Sequence, residues 1–148
     1  MARFLIVAHE TVTNPQLLKQ VRTVTDQDPE AEFVLLVPAT PVRHLLFRRG
    51  DEHDAEAAAR KLADRATRLF AKRGMKLSDA RVGAADPVDA IDGEVRANPG
   101  YAGFIISTLP EEKSRWLRMN LPRRVRSKYG LPVHHVEAAR DFSLGDLP

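Results

Sequence analysis

Residues 104–124 read FIISTLPEEKSRWLRMNLPRR, and the rest of the chain is organised around this stretch. The apolar run Phe104-Ile105-Ile106 ends at once in two hydroxyls, Ser107 and Thr108. After Leu109-Pro110 comes a polar loop with Lys113, Ser114, Arg115 and the only tryptophan, Trp116, and Asn120-Leu121-Pro122 then opens a basic helix. An apolar run too short for a helix predicts a strand covered on both faces. A buried strand feeding hydroxyls, cations and a helix N-terminus is how α/β proteins commonly hold phosphate or another anion.

Upstream, the same grammar repeats. Arg3 to Ala8 (RFLIVA) predicts a central strand, followed by His9-Glu10-Thr11-Val12-Thr13. Asn14-Pro15 is an N-cap followed by proline at the first helical position, and Leu17, Leu18, Val21 and Val24 recur at helical spacing. Glu32 to Val37 predicts the second strand, stopped by Pro38 and Pro41. Residues 39–50 then predict a long irregular excursion, with Arg43, His44, Arg48 and Arg49 around Leu45, Leu46 and Phe47, either a lid or a surface loop. Asp51 or Asp54 would cap the longest helix, about Glu52 to Lys72, whose inner stripe reads Ala55, Ala58, Ala59, Leu62, Ala66, Leu69 and Phe70, with Gly74 as its stop.

Asp79 to Ala84 carries the weakest strand pattern. Asp86-Pro87 repeats the cap-then-proline start, with Val88, Ile91 and Val95 as the expected buried side, and Asn98-Pro99-Gly100 ends that helix. Downstream of the central stretch, Gly130 stops the last helix, and Val133 to Glu137 predicts a fifth strand. Residues 1–137 thus read as one α/β domain, and 138–148 as a loosely held tail. Strands alternating with helices predict right-handed crossovers and a doubly wound parallel sheet with helices on both faces.

Composition narrows the function classes. The chain has 148 residues, 43% hydrophobic and 29% charged, which suits a single globular domain. No apolar run nears the roughly 20 residues of a membrane span, and no cleavable-signal pattern opens the chain, so a cytoplasmic location is expected. Without cysteine there is no disulfide framework, thiolate metal site or cysteine nucleophile. The net charge is only +3, yet between Lys113 and Val136 there is no Asp or Glu among Lys113, Arg115, Arg118, Arg123, Arg124, Arg126 and Lys128. That segment reads either as a solvated helix face or as an electropositive surface beside an anion site. Nucleic-acid binding through residues 113–128 ranks last, because Trp116 is its only interleaved base-stacking candidate.

The order of these parts resembles the universal stress protein family, within the adenine-nucleotide alpha-hydrolase-like superfamily. The resemblance rests on the apolar first strand, on Asp86-Pro87-Val88-Asp89-Ala90-Ile91, on FIIST before a loop and helix, and on Leu131-Pro132-Val133-His134-His135-Val136 at the close. It implies a Rossmann-like five-stranded sheet in the order 3-2-1-4-5, with a crevice between strands one and four. It also implies ATP or AMP as the ligand class to consider, and a homodimer paired through the last strand at Val133, His134 and His135. The family's nucleotide binders carry a spaced glycine motif, and here its positions read Ser107, Pro110 and Asn120-Leu121. Every glycine is replaced, and proline removes an amide donor, which argues against a nucleotide held in the family's manner. The family's aspartate after the first strand is matched at best by Glu10, beside His9.

The candidate ligand-binding residues are therefore His9, Glu10, Thr11, Ser107, Thr108, Ser114, Arg115, Arg118 and Asn120. Their hydroxyls, guanidiniums and helix-start amides suit a phosphate or carboxylate. The competing view is that Ser107 and Thr108 satisfy the strand end while Trp116 packs the loop onto the sheet. His9-Glu10 and His134-His135, read as strand neighbours, would point apart, which weighs against an acid–base pair or a metal site. No nucleophile elbow, Walker loop or Gly-x-Gly-x-x-Gly occurs, so catalysis is not expected. Two readings remain: a ligand module acting through dimer or partner contacts, and a ligand-free dimeric scaffold with a degenerate site.

Overall fold

The computed structural model describes residues 2–41 and 51–142. Most of the excursion read at 39–50 and the end of the tail lie outside the described residues. In chain order the elements are β1 (Arg3–Val7), α1 (Pro15–Gln27), β2 (Glu32–Pro38), α2 (Asp51–Lys72), β3 (Asp79–Gly83), α3 (Pro87–Ala97), β4 (Gly103–Thr108), α4 (Arg115–Arg118), α5 (Leu121–Tyr129) and β5 (Val133–Glu137). A 3₁₀ turn, Glu111–Lys113, precedes α4. Among the described residues no helix is long and apolar enough to cross a membrane.

The five strands form one parallel sheet in the order β3-β2-β1-β4-β5. β1 and β4 are neighbours, pairing Leu5 with Phe104 and Val7 with Ile106. Alternation divides the core. Ile6, Leu35 and Ile105 face α1 and α2, whereas Leu5, Val7, Phe104 and Ile106 face α3 and α5. The three central strands have no polar face to offer water, which is why their sequences are unbroken apolar runs.

The helix starts follow their local chemistry. The Asn14 carboxamide oxygen accepts from Gln16 N at 3.2 Å, and the Asp86 carboxylate accepts from Val88 N at 2.7 Å and Asp89 N at 3.2 Å. Gly83 lets α3 approach β3: a Cβ there would lie 2.8 Å from Ala90 Cβ. At the opposite end of the sheet, the buried Glu94 carboxylate accepts from Tyr101 Oη at 2.7 Å, from Asn98 Nδ2 at 3.1 Å and from Arg81. Burial, then that hydrogen bond, holds the Tyr101 phenol protonated well above its usual range.

Several expectations need correction. Asp54 lies inside α2 and cannot be its cap. Ala58 is only half-buried, while Ala63 completes the inner face of α2. On α3 the buried side is Pro87, Ala90, Ile91 and Glu94, with Val88 and Val95 at its margins. The stretch read as a loop between β4 and the last helix contains the 3₁₀ turn and α4. The start of the tail is tied down: Ala138 is buried, and its N–H donates to Thr108 O at 2.9 Å.

Candidate functional site

Because β1 and β4 run side by side, the turns after them open onto one crevice of about 720 Å³. His9 and Glu10 enter it from beyond β1, and Thr40 and Pro41 from beyond β2. Ser107, Thr108 and Leu109 come from the end of β4, and Glu112, Lys113, Ser114, Arg115, Trp116 and Arg118 from the turn and helix that follow. This is the carboxyl-end crevice at which open α/β sheets bind ligands.

His9 and Glu10 both line the crevice because they lie past β1, where strand alternation no longer applies. The backbone turns there, with Val12 N donating to His9 O at 3.2 Å and Asn14 N to Thr11 O at 2.9 Å. The expectation that His9 and Glu10 diverge as strand neighbours is thereby corrected. His9 is only 8% exposed, and its Nε2 has no hydrogen-bond partner among the described residues. Burial pushes its pKa down to about 4, so the imidazole is neutral at pH 7.

Thr11 lies behind the crevice wall, 2% exposed, and its Oγ1 accepts from Ser107 Oγ at 2.7 Å. That bond ties the β1 turn directly to the end of β4. Thr108 Oγ1 stands 2.8 Å from His135 Nε2 on β5. Ser114 is the N-cap of α4, its Oγ accepting from Leu117 N at 3.1 Å. All four candidate hydroxyls, on Thr11, Ser107, Thr108 and Ser114, thus already hold an internal partner. Lys113, Arg115 and Arg118 are exposed around the mouth, with Glu10 half-buried and Glu112 3.4 Å from Arg140 Nε. Trp116 is buried in the core cluster on the α3–α5 side, where it anchors α4 to the sheet.

Asn120 is placed elsewhere. It is exposed, takes a left-handed backbone with φ of 55°, makes no side-chain cap, and lines a separate cavity of about 540 Å³ between α3 and α5. The intervening α4 turn carries it away from the crevice, so the expected use of amides at the Asn120 end finds no support in this arrangement. Pro110, at the middle position of the replaced glycine motif, is buried and has no N–H to donate.

Sequence reasoning missed Thr40, Pro41, Leu109 and Glu112 as lining residues. The signal for the first two was present: strand order 3-2-1-4-5 puts the end of β2 beside that of β1. Among the described residues no group of three or more His, Asp or Glu is placed to hold a metal ion. His134 and His135 leave opposite faces of β5, His135 toward Thr108.

No family model and no curated protein matches this sequence. Solved structures do match. The chain is similar to a universal stress protein family protein from Arabidopsis thaliana determined with AMP bound, at 11% identity and a TM-score of 0.58, over 95% of this chain and 94% of that one. It is also similar to a universal stress protein family protein from Burkholderia pseudomallei, at 15% identity and a TM-score of 0.60, over 91% of this chain and 95% of that one. Along nearly its whole length, the chain has the fold of the universal stress proteins.

Proposed function

We propose that this protein is a universal-stress-protein-like, non-catalytic module whose crevice between β1 and β4 takes a small anionic ligand, with a nucleoside monophosphate as the leading class. The observation that carries the reading is the crevice itself. Its floor pairs a buried neutral imidazole, whose Nε2 has no partner among the described residues, with polar strand ends, and its rim supplies the Lys113, Arg115 and Arg118 cations. A structural neighbour determined with AMP adds weight to the nucleotide class. The residues fit one phosphate better than a chain of them. Pro110 supplies no amide, and a helix as short as α4 offers few N–H groups beyond the one Ser114 already takes. Arg115 would hold the anion by charge-assisted hydrogen bonds, and His9 would meet a neutral polar edge of the ligand.

The module would act through a homodimer in the cytoplasm. β5 is the sheet's edge strand, and pairing across it would cover its open backbone groups. With His135 engaged by Thr108, Val133 and His134 are left to meet the partner copy. If His134 stacks on its mate across the two-fold axis, His134→Glu loosens the dimer, and unchanged sedimentation of that variant would count against it.

A specific observation favours a second reading, the ligand-free dimeric scaffold: the Ser107, Thr108 and Ser114 hydroxyls are all satisfied internally. Thermal unfolding with AMP, ATP and adenosine separates the two. The ligand reading expects AMP to stabilise the fold in proportion to the logarithm of its concentration once above Kd, reaching about 2.7 kcal/mol at about 100 Kd. No shift with any of the three, together with a persistent dimer, would select the scaffold.

A further inference from the structure

We infer that His135, on the edge strand, sets whether the Thr108 hydroxyl faces the crevice as a donor or as an acceptor, and so governs how well the crevice takes an anion. The inference rests on the crevice being a ligand site. Thr108 lines the crevice, is 2% exposed, and lies 2.8 Å from His135 Nε2. The two side chains share a sheet face, because the register sets Ile106 against His135 and Thr108 against Glu137. Ala138 N, donating to Thr108 O at 2.9 Å, holds the two strand ends together. His135 is exposed as a residue at the sheet edge and can take a proton from solvent, although its ring is partly buried, whereas Thr108 keeps only 2% of its surface open.

The chemistry follows from one hydroxyl proton. When Nε2 of a neutral imidazole carries the lone pair, Thr108 donates to it and turns its own lone pairs to the crevice, which suits a ligand N–H or O–H. An imidazolium carries a proton on Nε2 and must donate to Thr108 Oγ1. The threonine proton is then released to point at an anionic oxygen in the crevice. One solvent proton is taken up, and only hydrogen bonds are exchanged. The charged groups that bear on the ring are Arg126 on α5 and Glu137 on β5 itself; α1 packs on the other face of β5, behind Val136. Burial lowers the His135 pKa, Arg126 lowers it further and Glu137 opposes them, so the switch operates on the acid side of neutrality. His9, with a pKa of about 4, stays neutral over that range and does not compete as the sensor.

The test uses the methyl ester of AMP, whose single negative charge does not change between pH 5.5 and 8. Its affinity is measured by calorimetry for the full chain, for His135→Gln and for Thr108→Val. The unaltered protein is expected to bind tighter at pH 5.5 than at pH 8, by up to about tenfold, the full worth of one hydrogen bond. His135→Gln should flatten the profile, and Thr108→Val should lose most of it while leaving the edge strand untouched. A flat profile in the unaltered protein, or an undiminished one in either variant, overturns the inference and leaves the crevice reading standing. No binding at either pH overturns both. The contact is also read without ligand: Thr108→Val must move the ¹⁵N resonance of His135 Nε2, and an unmoved resonance overturns the inference whatever the crevice binds.

Discussion

Replacing His9 by glutamine should make the fold less sensitive to acid, which is unusual for removal of a buried polar group. The imidazole is 8% exposed and its pKa is about 4, against 6.5 in the unfolded chain. Between those values the unfolded chain binds the extra proton, so stability falls as pH falls. At pH 7.5 the residue is neutral in both states and contributes no pH dependence. With these two pKa values the deficit reaches about 2 kcal/mol at pH 5 and levels off near about 3 kcal/mol below pH 4. Glutamine has no such titration. Urea unfolding of both proteins at pH 7.5 and pH 5 gives the comparison directly, since carboxylates and His135 titrate alike in each. The unaltered protein should lose about 2 kcal/mol more than His9→Gln over that interval. Equal losses would mean that His9 is hydrated or paired in solution, and the buried imidazole at the crevice floor would have to be abandoned.

Three further outcomes follow from the same structure. Glu94→Ala should cost about 1–3 kcal/mol in urea unfolding, because it leaves the buried Tyr101 hydroxyl without its acceptor and takes one of two carboxylates from the part-buried Arg81, whereas Asp79→Ala, the exposed partner of Arg81, should cost under about 1 kcal/mol; a Glu94→Ala cost no larger than that of Asp79→Ala would refute the network. Gly83→Ala should lower stability by about 1–3 kcal/mol, because the new methyl would meet Ala90 Cβ at 2.8 Å and Leu36 Cδ1 at 2.9 Å; a neutral result would show that α3 can shift. Asp86→Ala should cost about 1 kcal/mol through the lost cap of α3, read as a lower Tm, and Asp86→Asn should restore most of it.

The fold was legible wherever a single local cause dominates. RFLIV, EFVLLV and FIIST are unbroken apolar runs because β1, β2 and β4 are covered on both faces, and Asn14-Pro15 and Asp86-Pro87 announce their helices by side-chain capping. Strand order was not readable from pattern; it came from the family resemblance, and the register of β1 with β4 agrees with it. β3 was weakly marked because an edge strand keeps Asp79 and Arg81 beside only three small or branched residues. The crevice was half legible. Its residue types stood out, but their hydrogen bonds depend on contacts between segments far apart in sequence, such as Thr11 with Ser107 and Thr108 with His135. Asn120 was misplaced for a similar reason: the four residues of α4 are too few to show a helical period, yet they turn the chain enough to carry Asn120 to another groove.

The most direct test of the crevice as a ligand site is an amide chemical-shift titration of ¹⁵N-labelled protein with AMP. The account predicts saturable shifts centred on His9, Glu10, Ser107, Thr108, Ser114 and Arg115, with the α3–α5 cavity at Val88, Arg124 and Lys128 unmoved. Shifts centred on that second cavity, or none at millimolar AMP, would contradict it.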